Sequence, residues 1–212
     1  YTLGNHDFNY GLEYHAAYRS RNNGVCVCQN ITDEAGNTLF PWKLHTMKNG
    51  LRVGIVGIVT DYVNIWEKEE NLKGIHITDP FEAAKNALAQ MKEQTDLTIC
   101  IYHGGFECDL ESGETLSQTT ENVGYRICKE LDFDILLTGH QHMSVPGRDI
   151  SGTYTVQPCD NAKEYQYLEV TMTDHEKSIR SELRQSDAAK GTVLADKYRS
   201  TENAVQAWLN QP

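Results

Sequence analysis

The 212-residue chain of 24.0 kDa is 39% hydrophobic and 23% charged, which suits one packed domain and excludes a disordered, collagenous or coiled-coil protein. Asp and Glu number 30 against 19 Lys and Arg, a formal charge of −11. No basic patch offsets it, so no nucleic-acid polymer is expected as a partner. The longest apolar run, residues 51–59, contains Arg52 and is far shorter than the roughly 18–20 residues that cross a bilayer, so no membrane segment is expected either. The opening Tyr1-Thr2-Leu3-Gly4 has neither an initiator Met nor the regions of a signal peptide, and the chain is expected to be a piece of a longer protein.

In chain order, residues 1–3 read as the end of an apolar strand. Residues 11–22 form a short helix, 25–30 a strand, and 51–59 a nearly continuous apolar strand of the kind buried on both faces. Thr78-Asp79-Pro80 starts a helix, with Asp79 or Thr78 as N-cap and Pro80 in the first turn, and Phe81, Ala84, Leu88 and Met91 carry it to about residue 93. Residues 97–102 are a strand, 121–131 a helix and 133–138 a second buried strand. The alternation at 153–156 and 165–173 predicts antiparallel strands. Residues 186–209 read as a polar linker helix.

The six cysteines are Cys26, Cys28, Cys100, Cys108, Cys128 and Cys159, without a CxxC pair. They read as buried small hydrophobes rather than disulfides or a zinc knuckle, which leans towards a reducing, cytoplasmic compartment.

Chemistry gathers where apolar strands end. Residues 1–3 run into Gly4-Asn5-His6-Asp7, residues 97–102 into His103-Gly104-Gly105, and residues 133–138 into Gly139-His140-Gln141-His142. Ligands of open α/β sheets bind at the carboxyl ends of strands, so the clusters are expected to converge. Imidazole nitrogens and an amide oxygen suit Mn, Zn or Fe. His140 and His142 would share a face in a strict strand, whereas in a turn each could reach a different ion. His15, His45, His76 and His175 follow no apolar strand into glycine and read as ordinary core or surface histidines.

Gly4-Asn5-His6-Asp7, His103-Gly104 and Gly139-His140-x-His142, in that order, resemble the calcineurin-like metallophosphoesterases, specifically their nucleotidase branch. So do the stretch from Gly4 to Leu12, Asp79-Pro80-Phe81-Glu82-Ala83-Ala84, Val156-Gln157-Pro158 and the end from Val205 to Pro212. The resemblance implies a four-layer α/β/β/α sandwich, truncated at its N-terminus, that hydrolyses nucleotide phosphoesters with two divalent metal ions. It makes Asn5, His103 and His140 ligands of one metal and His142 of the other. His6 stays unbound, as the catalytic group that stabilises the transition state or donates a proton. The cations would neutralise phosphoryl oxygens and activate water for in-line attack.

Two departures qualify the expectation. No Asp-x-His occurs in the chain. The family motifs that supply the remaining ligands would therefore precede Tyr1, and the fragment alone is expected to hold fewer metals and to be inactive. Residues 1–185 are read as a partial catalytic domain. Residues 186–212 are read as a linker helix towards a C-terminal nucleotide-binding domain. Asn9 stands where many 5′-nucleotidases have an Asp paired with the catalytic His, and the related 2′,3′-cyclic-nucleotide 2′-phosphodiesterase/3′-nucleotidases often show Asn there. The first expectation is therefore the cyclic-nucleotide activity, with 5′-nucleotidase or nucleotide-sugar hydrolase as the alternative and a degenerate, non-catalytic binding module as the alternative of another class. The substrate is a small nucleotide in each enzymatic case. The resemblance points to export and the cysteines to the cytoplasm, and the oligomeric state stays open.

Overall fold

A computed structural model describes residues 1–173, 176–186 and 192–211; His175 lies outside them. The elements are α1 (Gly11–Arg21), β1 (Cys28–Asp33), β2 (Thr38–Phe40), β3 (Lys43–Thr46), β4 (Arg52–Val59), α2 (Val63–Trp66), β5 (Ile75–Ile77) and α3 (Pro80–Met91). They continue with β6 (Leu97–His103), α4 (Gly124–Glu130), β7 (Ile135–Thr138), β8 (Val145–Ile150), β9 (Thr153–Gln157), β10 (Glu164–Met172), β11 (Lys177–Gln185) and α5 (Thr192–Leu209). This is a mixed α/β fold of several sheets.

The main sheet has six strands in the order β3-β4-β6-β7-β9-β8. Its centre is parallel: β4 pairs β6, β6 pairs β7 and β7 pairs β9, while β3 and β8 close the edges antiparallel. Parallel neighbours need a crossover, and α3 and α4 supply two of them. Burial of the central strands on both faces explains their unbroken apolar runs. Val56, Ile58, Cys100, Tyr102 and Leu136 pack one face against Phe81, Ala84, Leu88 and Met91 of α3 and Ile127 and Cys128 of α4. The Asp79 carboxylate accepts the Glu82 N–H at 2.9 Å, so the expected N-cap holds α3 at its start. The ribbon of β10 and β11 covers Val53, Leu97 and Ile135 with Leu168, Val170, Met172 and Ile179.

A second sheet, β2-β1-β5, shares an apolar cluster with Leu3, Phe8, Val59 and Val63. Asn30, 0% exposed, joins it to the main sheet. Its amide donates to the Val59 and Thr78 carbonyls at 2.7 and 2.9 Å, and its oxygen accepts the Val59 N–H at 3.0 Å. All six cysteines are free, and burial pushes the Cys28 thiol up to about 12, as expected of an inert core residue. No helix among the described residues is long and apolar enough to cross a membrane.

Several boundaries differ from expectation. Residues 1–3 are not a strand. Their link to residues 25–27 is two backbone bonds, Tyr1 N–H to the Val25 carbonyl and Val27 N–H to the Tyr1 carbonyl, too short a ladder to propagate. That partner keeps residues 25–27 out of β1, which therefore starts later. β9, expected to be antiparallel only, pairs parallel with β7 on its other side. α4 starts at Gly124 rather than at residue 121 because Asn122 is diverted: its side-chain oxygen accepts the Gly105 N–H at 2.7 Å. β11 runs to Gln185, so the stretch expected to open a helix at residue 186 follows directly on a strand, and α5 is described over Thr192–Leu209.

Candidate active site

Three segments meet at the C-terminal ends of the central strands. The first is a 3-10 turn over Asn5–Phe8, anchored by buried Leu3 and Phe8 on either side of Asn5 and His6. The Asp7 carboxylate accepts the Gly4 N–H at 2.7 Å and tightens the turn. A Cβ on Gly4 would lie 2.8 Å from the His103 ring, so only glycine lets that ring rest against the backbone here. The second segment is the end of β6, which delivers His103. Gly104 follows where a Cβ would fall 2.0 Å from the Tyr102 ring. The third is the turn after β7, in which both His140 (φ 69°) and His142 (φ 54°) are left-handed. The Gln141 side chain accepts the Phe106 N–H at 2.8 Å and donates to the Phe106 carbonyl at 2.9 Å, while the Gln157 amide donates to the Met143 carbonyl at 2.9 Å. These bonds hold the unusual backbone in place.

His103 Nε2–H donates to Asn5 Oδ1 at 2.8 Å, and the His103 and His140 rings lie 5.3 Å apart. Burial, then the neighbouring His140, lowers the His103 pKa to about 4, so at neutral pH it is an uncharged imidazole able to offer a lone pair. His140 Nε2–H donates to Glu121 Oε1 at 3.0 Å, and the Trp66 indole lies 5.4 Å from the His140 ring at 31°. His6 is exposed, with Nδ1 2.8 Å from Asn9 Oδ1. The Asn9 amide donates to Glu67 Oε2 at 2.8 Å, and Asn71 donates to Glu67 Oε1 at 2.8 Å and to the Asn9 carbonyl at 3.0 Å. Burial pushes the Glu67 carboxyl up, but the hydrogen bonds from Asn71, the Lys68 backbone and Asn9 outweigh it and leave it below the usual carboxylate range.

A cleft of about 430 Å³ opens here, lined by Asn5, His6, Asn9, Trp66, Glu121 and His140 among others. Of the sequence-predicted residues, Asn5, His6, His103 and His140 thus come together. His142 is exposed and outside the cleft lining, and reaches the group only as a charge felt by His103. His15 is buried edge-on to Phe40, and His45 and His76 are exposed elsewhere. Glu67, Trp66, Glu121 and Asn71 were not singled out from the sequence. Trp66 ends the one-turn α2, Glu67 and Asn71 follow it, and Glu121, expected to open a helix, lies in the connection before α4; none of them follows an apolar strand into glycine.

The donor set suits one side of a metal centre. Asn5 Oδ1 and His103 Nε2 lie 2.8 Å apart, close to the ~3 Å between adjacent donors on an ion with bonds of about 2.1 Å, and an ion held there would take the place of the proton they share. Among the described residues no three His, Cys, Asp or Glu side chains gather as a metal cage. The arrangement offers an amide oxygen and imidazoles beside a free, exposed imidazole, a set able to neutralise and protonate an anionic ester.

Residues 1–144 match the family model described as calcineurin-like phosphoesterase. A 2′,3′-cyclic-nucleotide 2′-phosphodiesterase/3′-nucleotidase of Yersinia enterocolitica is 29% identical over 173 residues, covering 76% of this chain and 25% of its own length. A 5′-nucleotidase of Vibrio cholerae is 31% identical over 148 residues, 68% of this chain and 26% of its own. The chain therefore spans about a quarter of the length of these curated relatives. A crystal structure from Staphylococcus aureus, named as a 5′-nucleotidase and solved with alpha-ketoglutarate, superimposes with a TM-score of 0.85 at 31% identity, covering 99% of this chain and 42% of that one.

Proposed function

Because the chain belongs to the calcineurin-like phosphoesterase family, we propose that it is most of the catalytic domain of a dimetal nucleotide phosphoesterase that prefers 2′,3′-cyclic nucleotides. α5 would lead on to a nucleotide-binding domain. The observation that carries the reading is the meeting of Asn5, His6 and His140 in one cleft, with His103 bonded to Asn5 and its ring 5.3 Å from that of His140.

Asn5, His103 and His140 would hold one divalent ion and His142 would serve a second. Bound there, the ions would act as Lewis acids towards the phosphoryl oxygens. His103, neutral at working pH, keeps its lone pair for this task. Trp66 and Val63 wall one side of the cleft and limit the water around the phosphate. His6 faces the ester and offers a hydrogen bond or a proton to the equatorial or departing oxygen. Among the described residues no carboxylate is hydrogen-bonded to His6, whose Nδ1 partner is the Asn9 amide. A strained cyclic diester, whose leaving alkoxide stays tethered beside the site, tolerates a weakly supported proton donor better than an unstrained monoester does.

The test is steady-state kinetics of the full-length polypeptide on 2′,3′-cyclic nucleotides and 5′-monophosphates. We expect the higher kcat/KM for the cyclic substrate. A preference for 5′-monophosphates would overturn the choice in favour of a 5′-nucleotidase, the reading supported by the Vibrio cholerae relative and the Staphylococcus aureus structure. No phosphoester hydrolysis with Mn, Zn or Fe supplied would overturn both and leave a binding module.

A further inference from the structure

Asn9 is symmetrical in shape but not in chemistry. One end of its amide accepts hydrogen bonds and the other donates them, and the two ends differ little in size. Seen from His6 alone, either end could face Nδ1. Glu67 removes the choice. A carboxylate can only accept, so the end of Asn9 that lies 2.8 Å from Glu67 Oε2 must be the NH₂ group, and the oxygen must face His6. An amide oxygen accepts only, so the proton of the neutral imidazole resides on Nδ1. Asn71 grips the other carboxylate oxygen at 2.8 Å and the Asn9 carbonyl at 3.0 Å, and the Lys68 N–H donates to Glu67 Oε1 at 2.9 Å. The carboxylate is thus held from three sides, although it lies 58 residues from Asn9 in the chain.

We propose that Glu67 is a positioning residue for His6: through Asn9 it holds the Nδ1–H and the ring orientation, so that Nε2 is the nitrogen that takes up a proton from solvent and hands it to the substrate oxygen. The proposal rests on the reading of His6 as the catalytic group. It also explains the residue at position 9. An Asp there would set its carboxylate against that of Glu67 at hydrogen-bond distance, with no proton between them.

The first test needs no substrate. In this chain, labelled with nitrogen-15 at histidine and kept in chelating buffer at a pH where the imidazoles are neutral, His6 should show the Nδ1–H signature. Glu67→Ala should shift it towards the Nε2–H form that free imidazole favours. Glu67→Gln, whose single oxygen is claimed by the Asn71 amide and the Lys68 N–H so that its NH₂ turns towards Asn9, should shift it as well. An Nε2–H form in the unsubstituted chain, or an Nδ1–H form that survives Glu67→Ala, overturns the proposal.

The second test is kinetic and uses the full-length polypeptide. Glu67→Ala should lower kcat roughly ten- to a hundredfold with KM little changed, the range seen when an outer partner of a site imidazole is lost. Asn9→Asp should also lower kcat, and adding Glu67→Gln should restore much of it, because the new amide donates to the new carboxylate. A purely structural Glu67 gives no such rescue, and Asn9→Asp as active as the parent would overturn the proposal. The two readings fail separately: an unsubstituted protein that hydrolyses no nucleotide ester refutes the proposed function, while the imidazole spectra still decide the role of Glu67.

Discussion

His6 and His140 stand in the same cleft but are held differently, and substitution should separate them. His140 is clamped between Glu121 and Trp66 beside His103, whereas His6 is exposed with a single side-chain partner. His6→Ala should leave the metal content of the full-length protein unchanged and lower kcat by roughly 10² or more. His140→Ala should lose both metal and rate. Elemental analysis beside kinetics checks the pair, and loss of metal from His6→Ala would reverse the assignment. Asn5, His6, His103 and His140 were legible in the sequence because each follows an apolar segment into glycine, a pattern tied to the carboxyl end of strands. Glu67 and Trp66 were not legible. Their position depends on how the connection after β4 folds back over the turn at Asn5–Phe8, and no spacing rule encodes that path.

Among the elements, the parallel core was readable from its apolar runs, and α3 from Asp79, Pro80 and the helical spacing of its buried face. The short strands β2, β3 and β5 were not, since three or four residues cannot display a period. Two side chains tie elements together in ways that substitution can expose. Asn30→Ala would leave the Val59 N–H and two carbonyls buried without their partner, so we expect a loss of about 2–4 kcal/mol in denaturant unfolding. Arg52, at the start of β4, donates to Asp96 through its backbone N–H at 2.8 Å and through its guanidinium at 3.1 and 2.6 Å. The guanidinium, foremost, holds the Asp96 carboxyl down at about 2. A carboxyl whose folded value is depressed stabilises the fold above its unfolded value and stops doing so as pH falls through the folded one. Asp96→Asn should therefore lower the thermal midpoint at neutral pH, and the gap from the parent should close between roughly pH 4 and pH 2.

At the scale of the whole molecule, α5 ends on exposed apolar side chains, with Trp208 69% exposed and Leu209 59%. A chain ended after residue 186 should keep its thermal midpoint within about 2 °C, since the side chains described for residues 198–211 are exposed; a larger fall would show that α5 packs on the domain in solution. The pairing of His103 with Asn5 has a further consequence, for the order of folding. The two residues are 98 positions apart, and closing a loop of that length costs about 4 kcal/mol of chain entropy, by (3/2)RT ln n. Neither a lone crossover unit nor any local hairpin contains both partners. A folding intermediate built from β4, α3 and β6 would therefore carry a finished strand end and no cleft, and an ion or ester that bridges Asn5 and His103 would bind only after the N-terminal turn has docked. Ligand capture during refolding would then time that long-range closure of the chain.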